Sequence, residues 1–441
     1  MKKLGIAAAA LIVIAILFFF SGSNEILKEA KAQLEQELSA MQQNGFAVEN
    51  RISKEKEDHF ILTINDPEKV AAYLTAQGIP ASAEDIAPLK GMKVGTDVYY
   101  VKDVYSALSV DFYPVKLPDD TVKNIDDEND KALIEQIQKM FDAKKILVHV
   151  DVAKDLQHFK GYVKDINETF KGEETLHVAT KGWTFTGKTE KERIAFMKQK
   201  VEKIAISDDE GMQMLLSQMD SEHKFTGKTL YDMDADYHIA RISLQQQGIF
   251  SGVIEEISMK TSDKVSNGLL QSKIQSTVKA FNATVEGEKI EAKTLHWDMR
   301  VDNIDIAAIE ALQETDPEDN TAFQKVFQQL LEKGIALTIN DFSIQEIVDN
   351  QQSLGSIALK ASLGIDKQAN ISQLVDNPLL LMGAIDVDMT LKISDAIFAQ
   401  IAKDPRAVML MMMIPPKEKN GQKIYTVIMK NGETTVNGSN F

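Results

Sequence analysis

The 441-residue sequence predicts an α+β protein: an N-terminal single transmembrane helix, then a large, mainly antiparallel β-sheet body with interspersed short helices. Three observations predict it. An uninterrupted apolar run, Leu4 to Phe20, follows Lys2 and Lys3. From Ile146 onward, apolar and polar residues alternate with period two in several stretches, the pattern of strands with one buried and one wet face. Near the C-terminus, Asn431-Gly432 separates Ile424–Lys430 from Glu433–Asn437, and this dipeptide closes two-residue hairpins.

The apolar run carries Leu4, Ile12, Val13, Ile14, Phe18, Phe19 and Phe20 and no charge. At helical rise it spans about 25 Å, a little short of a hydrocarbon core of about 30 Å, and lysine snorkelling makes up the difference. Lysines on the cytoplasmic side send everything after residue 20 across the membrane. The competing reading is a cleaved signal peptide. Ser21-Gly22-Ser23 are small enough for cleavage, yet the run exceeds an ordinary h-region and no A-x-A follows it. The chain divides into a cytoplasmic tip and anchor (1–22), an N-terminal α+β region with a stalk helix (23–143), and an extended antiparallel β-rich domain (144–441).

Asn24 to Gln43 reads as an amphipathic helix, with Leu27, Ala30, Leu34, Leu38 and Met41 in one stripe and Asn44-Gly45 as its stop. His59 to Asn65 reads as a strand, and Asp66-Pro67 opens a helix that ends before Gly78. Val98 to Val115 suggests a hairpin broken near Lys102-Asp103, and Pro118 to Asp127 a linker or exposed loop. Leu133, Ile134, Ile137, Met140 and Phe141 have helical spacing. Alternation follows at Ile146–Val152, Leu295–Val301, Ile335–Ile339 and Ile385–Ile393. Between these, Thr315-Asp316-Pro317 opens a helix that stops at Gly334, Ser394 opens another, and Asp404-Pro405 a third.

A net charge of −17 argues against nucleic acid and against anionic lipid head-groups as partners. With no cysteine, disulfides, thiol catalysis and lipoprotein acylation are excluded. Gly182-Trp-Thr-Phe-Thr-Gly187-Lys188-Thr189 satisfies the G-x-x-x-x-G-K-T phosphate-loop pattern, but its interior is bulky and strand-forming, so a strand ending in a Gly-Lys turn is expected. Phe-Thr-Gly-Lys-Thr recurs at 225–229 without matching flanks. Asp232, Asp234, Asp236 and His238 fall at every second position, either a cation patch or the solvated face of a strand; the solvated face is expected. His149 and His296 lie opposite apolar rows, where exposure to solvent is expected. No catalytic, cofactor or metal constellation stands out among the seven histidines.

One stretch stands apart. Ala407 to Ile414 is apolar on all sides and holds four methionines, too short to span a bilayer. Two readings stay open: a helix buried in the core, or a surface at Met409, Leu410, Met411, Met412, Met413 and Ile414 for an acyl chain or a partner helix.

Residues 289–312 (KIEAKTLHWDMRVDNIDIAAIEAL), the helix-to-strand passage 321–342, the strand at 383–393 with its following helix, and the final IYTVIMKNGETTVNG resemble the YdgA-like family of bacterial proteins. The resemblance covers the anchor and the C-terminal part, with only loose alignment between them; Asn24 to Phe141 departs from it. It implies an inner-membrane anchor, a large β-rich periplasmic body and no known active-site residues. The expectation is therefore a non-enzymatic envelope protein, single-pass in the inner membrane, with a lipid or another envelope protein as partner. A self-associating homo-oligomeric scaffold is the alternative. A hydrolase using unrecognised carboxylates such as Asp234 and Asp236 comes last.

Overall fold

The computed structural model describes residues 26–76, 81–100, 105–123, 128–172, 175–190, 193–227, 229, 231–313, 315, 319–367 and 383–440. The proposed anchor, Leu4 to Phe20, lies outside the described residues. Among those described, no helix is long and apolar enough to cross a membrane. The chain forms two compact units, divided between Leu230 and Tyr231.

The first unit opens with helix α1 (Ile26–Gln43), followed by strands β1 (Phe46–Ser53) and β2 (Glu57–Ile64). Helix α2 (Pro67–Ala76) and the short α3 (Ala83–Ile86) lead to β3 (Lys93–Tyr100) and β4 (Ser106–Lys116). Next come α4 (Asp119–Lys123), α5 (Glu128–Asp142) and seven strands: β5 (Val148–Ala153), β6 (His158–Val163), β7 (Ile166–Lys171), β8 (Thr175–Lys181), β9 (Trp183–Glu190), β10 (Arg193–Asp208) and β11 (Met212–Phe225). Strands β1 to β6 pair antiparallel in chain order, and β6 then pairs with β9. The long β10 receives β9 and β8 along one edge and β11 along the other. Pairing of β5 with β4 carries the sheet across position 144 without a break.

Period-two alternation sets the core of this sheet. Phe60 and Leu62, Val94 and Val98, Val110 and Phe112, Val148 and Val150 point to one face, and Leu34, Leu38 and Met41 of α1 cover it. Leu34, Leu38 and Met41 of the predicted stripe are buried, and the side chains of Leu27 and Ala30 lie outside the described residues. A smaller cluster joins Ile137, Met140 and Phe141 of α5 to Leu117 and Phe170. The expected loop after Pro118 holds helix α4 instead, with Asp119 and Asp120 in its first turn, where the helix dipole favours acids. Residues 124–127, the rest of that expected loop, lie outside the described residues.

The second unit is a longer meander: β12 (Met233–Gln246), β13 (Phe250–Ser266), β14 (Leu269–Val285) and β15 (Glu288–Asp305). Helices α6 (Ile306–Gln313) and α7 (Asn320–Leu331) precede β16 (Ala336–Asp349), β17 (Gln352–Ile365) and β18 (Ile385–Ser394). Then come α8 (Asp395–Ile401), α9 (Pro405–Met413), β19 (Lys417–Lys419), β20 (Gln422–Lys430), β21 (Glu433–Val436) and β22 (Ser439–Asn440). Strands β12 to β18 pair antiparallel in chain order, and β20 adds to β18. Asn431 (φ 51°) and Gly432 (φ 80°) turn β20 into β21, both in the left-handed region that a type I′ turn needs.

Helix α7 is capped by Asp319, whose carboxylate accepts from the backbone N–H groups of Thr321 and Ala322; Asp316 and Pro317 of the expected opening lie outside the described residues. One expectation is corrected here. The alternating row of β18 is only half-buried at Ile385, Val387, Met389 and Leu391, and fully buried only at Ile393. Alternation fixes which residues share a face; how deeply that face is covered depends on what packs there.

Candidate functional site

Two features carry chemistry. The first is a transverse row across five strands of the first unit. Cross-strand register places His59 of β2 opposite Asp97 of β3, Asp97 opposite Asp111 of β4, Asp111 opposite His149 of β5, and His149 opposite Tyr162 of β6. All five lie on the sheet face opposite the apolar core, because each sits one residue out of phase with the buried set.

His149 is only 8% exposed, so the expectation of a solvated imidazole is overturned. Its Nδ1 lies 2.6 Å from Asp111 Oδ1 and its Nε2 lies 3.1 Å from Asp151 Oδ1. A neutral imidazole can donate to one of these carboxylates; the imidazolium donates to both. The Tyr162 ring stacks on it at 4.9 Å between centroids. Ser109, on the same face, donates to Asp151 at 2.5 Å. Its hydroxyl is buried and spent on that carboxylate, so it is not poised as a nucleophile.

The neighbouring node is Asp97. It takes His59 Nδ1 at 2.6 Å, the Tyr113 hydroxyl at 3.2 Å and Lys144 Nζ at 2.7 Å. That ammonium also stands 3.7 Å from the Tyr113 ring centroid. Burial pushes the Asp97 carboxyl up, but the hydrogen bonds from Lys144 and His59 outweigh it and hold the group below the ordinary aspartate range. A depressed carboxyl contributes stability that is present above the unfolded value, about 3.9, and is lost as pH falls through the lower folded value. Asp97→Asn is therefore expected to unfold at lower urea than the native chain at pH 7. The two midpoints should draw together as pH falls below the unfolded value and converge below the lower folded one. An undiminished gap in acid would refute the ionic origin of the effect.

The second feature is the methionine helix α9. Met409, Met412 and Met413 are 64%, 80% and 64% exposed. They sit at i, i+3 and i+4, so they share one helix face. Met411 and Ile414 are half-buried, and the Leu410 side chain lies outside the description. Burial in a core, one of the two readings of this run, does not hold. Asp404 accepts from the Arg406 backbone N–H at the start of the helix.

The remaining sequence candidates are engaged as structural groups. Gly182 to Thr189 runs into strand β9 with no helix at Lys188, whose Nζ pairs with Glu190 at 2.5 Å. Asp234 accepts from Ser262 at 2.6 Å and Asp236 pairs with Lys260 at 3.0 Å. Asp232 accepts from the Val265 backbone N–H at 2.8 Å. Among the described residues, no group of three or more histidine, aspartate or glutamate side chains is placed to hold a metal ion. The transverse row itself was missed. Its members each occupy the polar phase of an alternating strand, but only the pairing register brings them together.

Compared with known proteins, residues 134–440 match the model of a family described as a bacterial protein of unknown function, DUF945. That match begins well before the C-terminal stretches that carry the resemblance noted above. No curated protein and no solved structure matches the chain.

Proposed function

We propose, from the premise that this chain belongs to the bacterial family of unknown function DUF945, that it is a non-enzymatic, membrane-anchored envelope protein that binds the apolar part of a lipid. The observation that carries this reading is the exposed methionine face of α9. Fully burying a methionine is worth about 1.5–3 kcal/mol, and three on one helix face make a costly surface to leave in water. Unbranched, polarizable side chains conform to acyl chains of varied shape. Ile401, at the end of α8, adds a further exposed apolar side chain close by in sequence.

The topology follows from the N-terminal sequence: Leu4 to Phe20 crosses the inner membrane, Lys2 and Lys3 stay cytoplasmic, and the acidic body faces the periplasm. The body is of the YdgA-like kind. An enzyme reporter fused to the C-terminus and active only outside the cytoplasm supports this placement; activity only inside overturns it. For the ligand, native mass spectrometry of the purified full-length chain is expected to find bound lipid. Met409→Glu/Met412→Glu should lose at least tenfold of it. A well-folded, lipid-free native protein would sink the reading. The same methionine face also favours self-association, and sedimentation separates the two: oligomers abolished by the double glutamate variant, with no lipid bound, mean a scaffold.

A further inference from the structure

The first unit holds a half-open surface pocket of about 410 Å³ between α5, the loop after it, and strand β7. That volume is within the range of small-molecule sites, about 300–1,000 Å³. Its floor is apolar, made by Met140 and Phe170, both buried. Its rim carries Lys139, Lys145 and Lys171. Lys145 pairs with Glu168 of the same wall at 2.6 Å. Lys139 and Lys171 are exposed side chains of that lining. The lining thus carries three lysines against one glutamate, in a chain of net charge −17. Helix α5 and strand β7 are tied beside it by a reciprocal pair: the Lys171 backbone N–H donates to Gln136 Oε1 at 3.1 Å, and Gln136 Nε2 returns a bond to the Lys171 carbonyl at 3.4 Å.

We propose that this cavity binds a single-chain anionic amphiphile, with its acidic head between the Lys139 and Lys171 ammonium groups and its chain over Met140 and Phe170. Lysine supplies compact point charges, which suit a carboxylate or a phosphate head alike. The apolar floor selects against small inorganic anions, and the lysines select against cationic or neutral chains. The site is separate from the methionine helix and does not depend on the reading proposed for it.

Calorimetric titration of the full-length chain with dodecanoate below its micelle concentration tests the proposal, with dodecyltrimethylammonium and inorganic phosphate as comparison ligands. Dodecanoate is expected to bind, and each of the other two at least tenfold more weakly. Lys139→Glu/Lys171→Glu changes two exposed side chains, and its circular dichroism should match the native spectrum while its dodecanoate affinity falls at least tenfold. Met409→Glu/Met412→Glu should keep that affinity. Equal binding of the cationic chain, equal binding of phosphate, or full affinity in the lysine variant would overturn the assignment. Loss of dodecanoate binding in the methionine variant alone would move the site to α9 and overturn it too.

Discussion

Replacing His149 with leucine is expected to cost the first unit about 3 kcal/mol, read as a lower urea midpoint at pH 7. The imidazole stands between two carboxylates, 2.6 Å from Asp111 and 3.1 Å from Asp151, and is almost wholly removed from water. Leucine fills a similar volume but donates nothing. Two half-buried carboxylates are then left facing an apolar group, and removing one partner of a buried ionic set costs about 3–5 kcal/mol. Ser109 still donates to Asp151 and takes part of the strain, which places the estimate at the lower end. The origin of the effect is separable. In an Asp111→Asn/Asp151→Asn background, the same leucine substitution should cost less than half as much, because no charge is stranded. A cost unchanged in that background would mean that His149 acts through packing on Tyr162 rather than through its carboxylates.

The contrast with His59 sharpens the point. It makes an equally short contact with Asp97, but its side chain is 36% exposed, so water replaces part of what is lost on mutation. Two histidines in the same row, with like geometry, thus differ in what they contribute.

Much of this fold was legible in the sequence. Apolar spacing located α1, α5 and the strands at 148–153 and 385–394, and Asn431-Gly432 located the hairpin of β20 and β21. Other turns carry the same dipeptide signal: Asn267-Gly268, Asn420-Gly421 and Asn437-Gly438 all take positive φ. Other places gave no readable cue. Thr294 and Glu256 hold φ near +51° inside long strands, a region costly for a β-branched threonine, and the regular ladder skips a pair there. Neither glycine nor asparagine marks the spot. The site was less legible than the fold. Alternation placed His149 on the polar face, and a polar face normally means water. Its burial depends on Asp111 and Tyr162, which arrive from strands 38 positions before it in the chain and 13 after, and only the register reveals them. The methionine helix shows the opposite failure: composition identified it, but nothing in composition decides between core and surface.

The glycine of the phosphate-loop lookalike provides the second large expected effect. Strands β6 and β9 place Phe159 opposite Gly187 and Gly161 opposite Phe185, so each ring lies over the other strand's glycine. A Cβ added at Gly187 would fall 2.2 Å from the Phe159 ring edge, and one at Gly161 would fall 2.2 Å from the backbone carbonyl oxygen of His149. Gly187→Ala is expected to cost about 1–3 kcal/mol, the range for overpacking. A ring can shift, so the cost should shrink in a Phe159→Leu background. Gly161→Ala meets backbone and cannot be relieved in that way; its cost should exceed that of Gly187→Ala and persist with Phe185→Leu. Both are measured as urea midpoints of the full chain. If Gly187 served instead as part of a phosphate cradle, alanine there would leave stability intact and weaken nucleotide binding, the reverse of the outcome that strand packing requires.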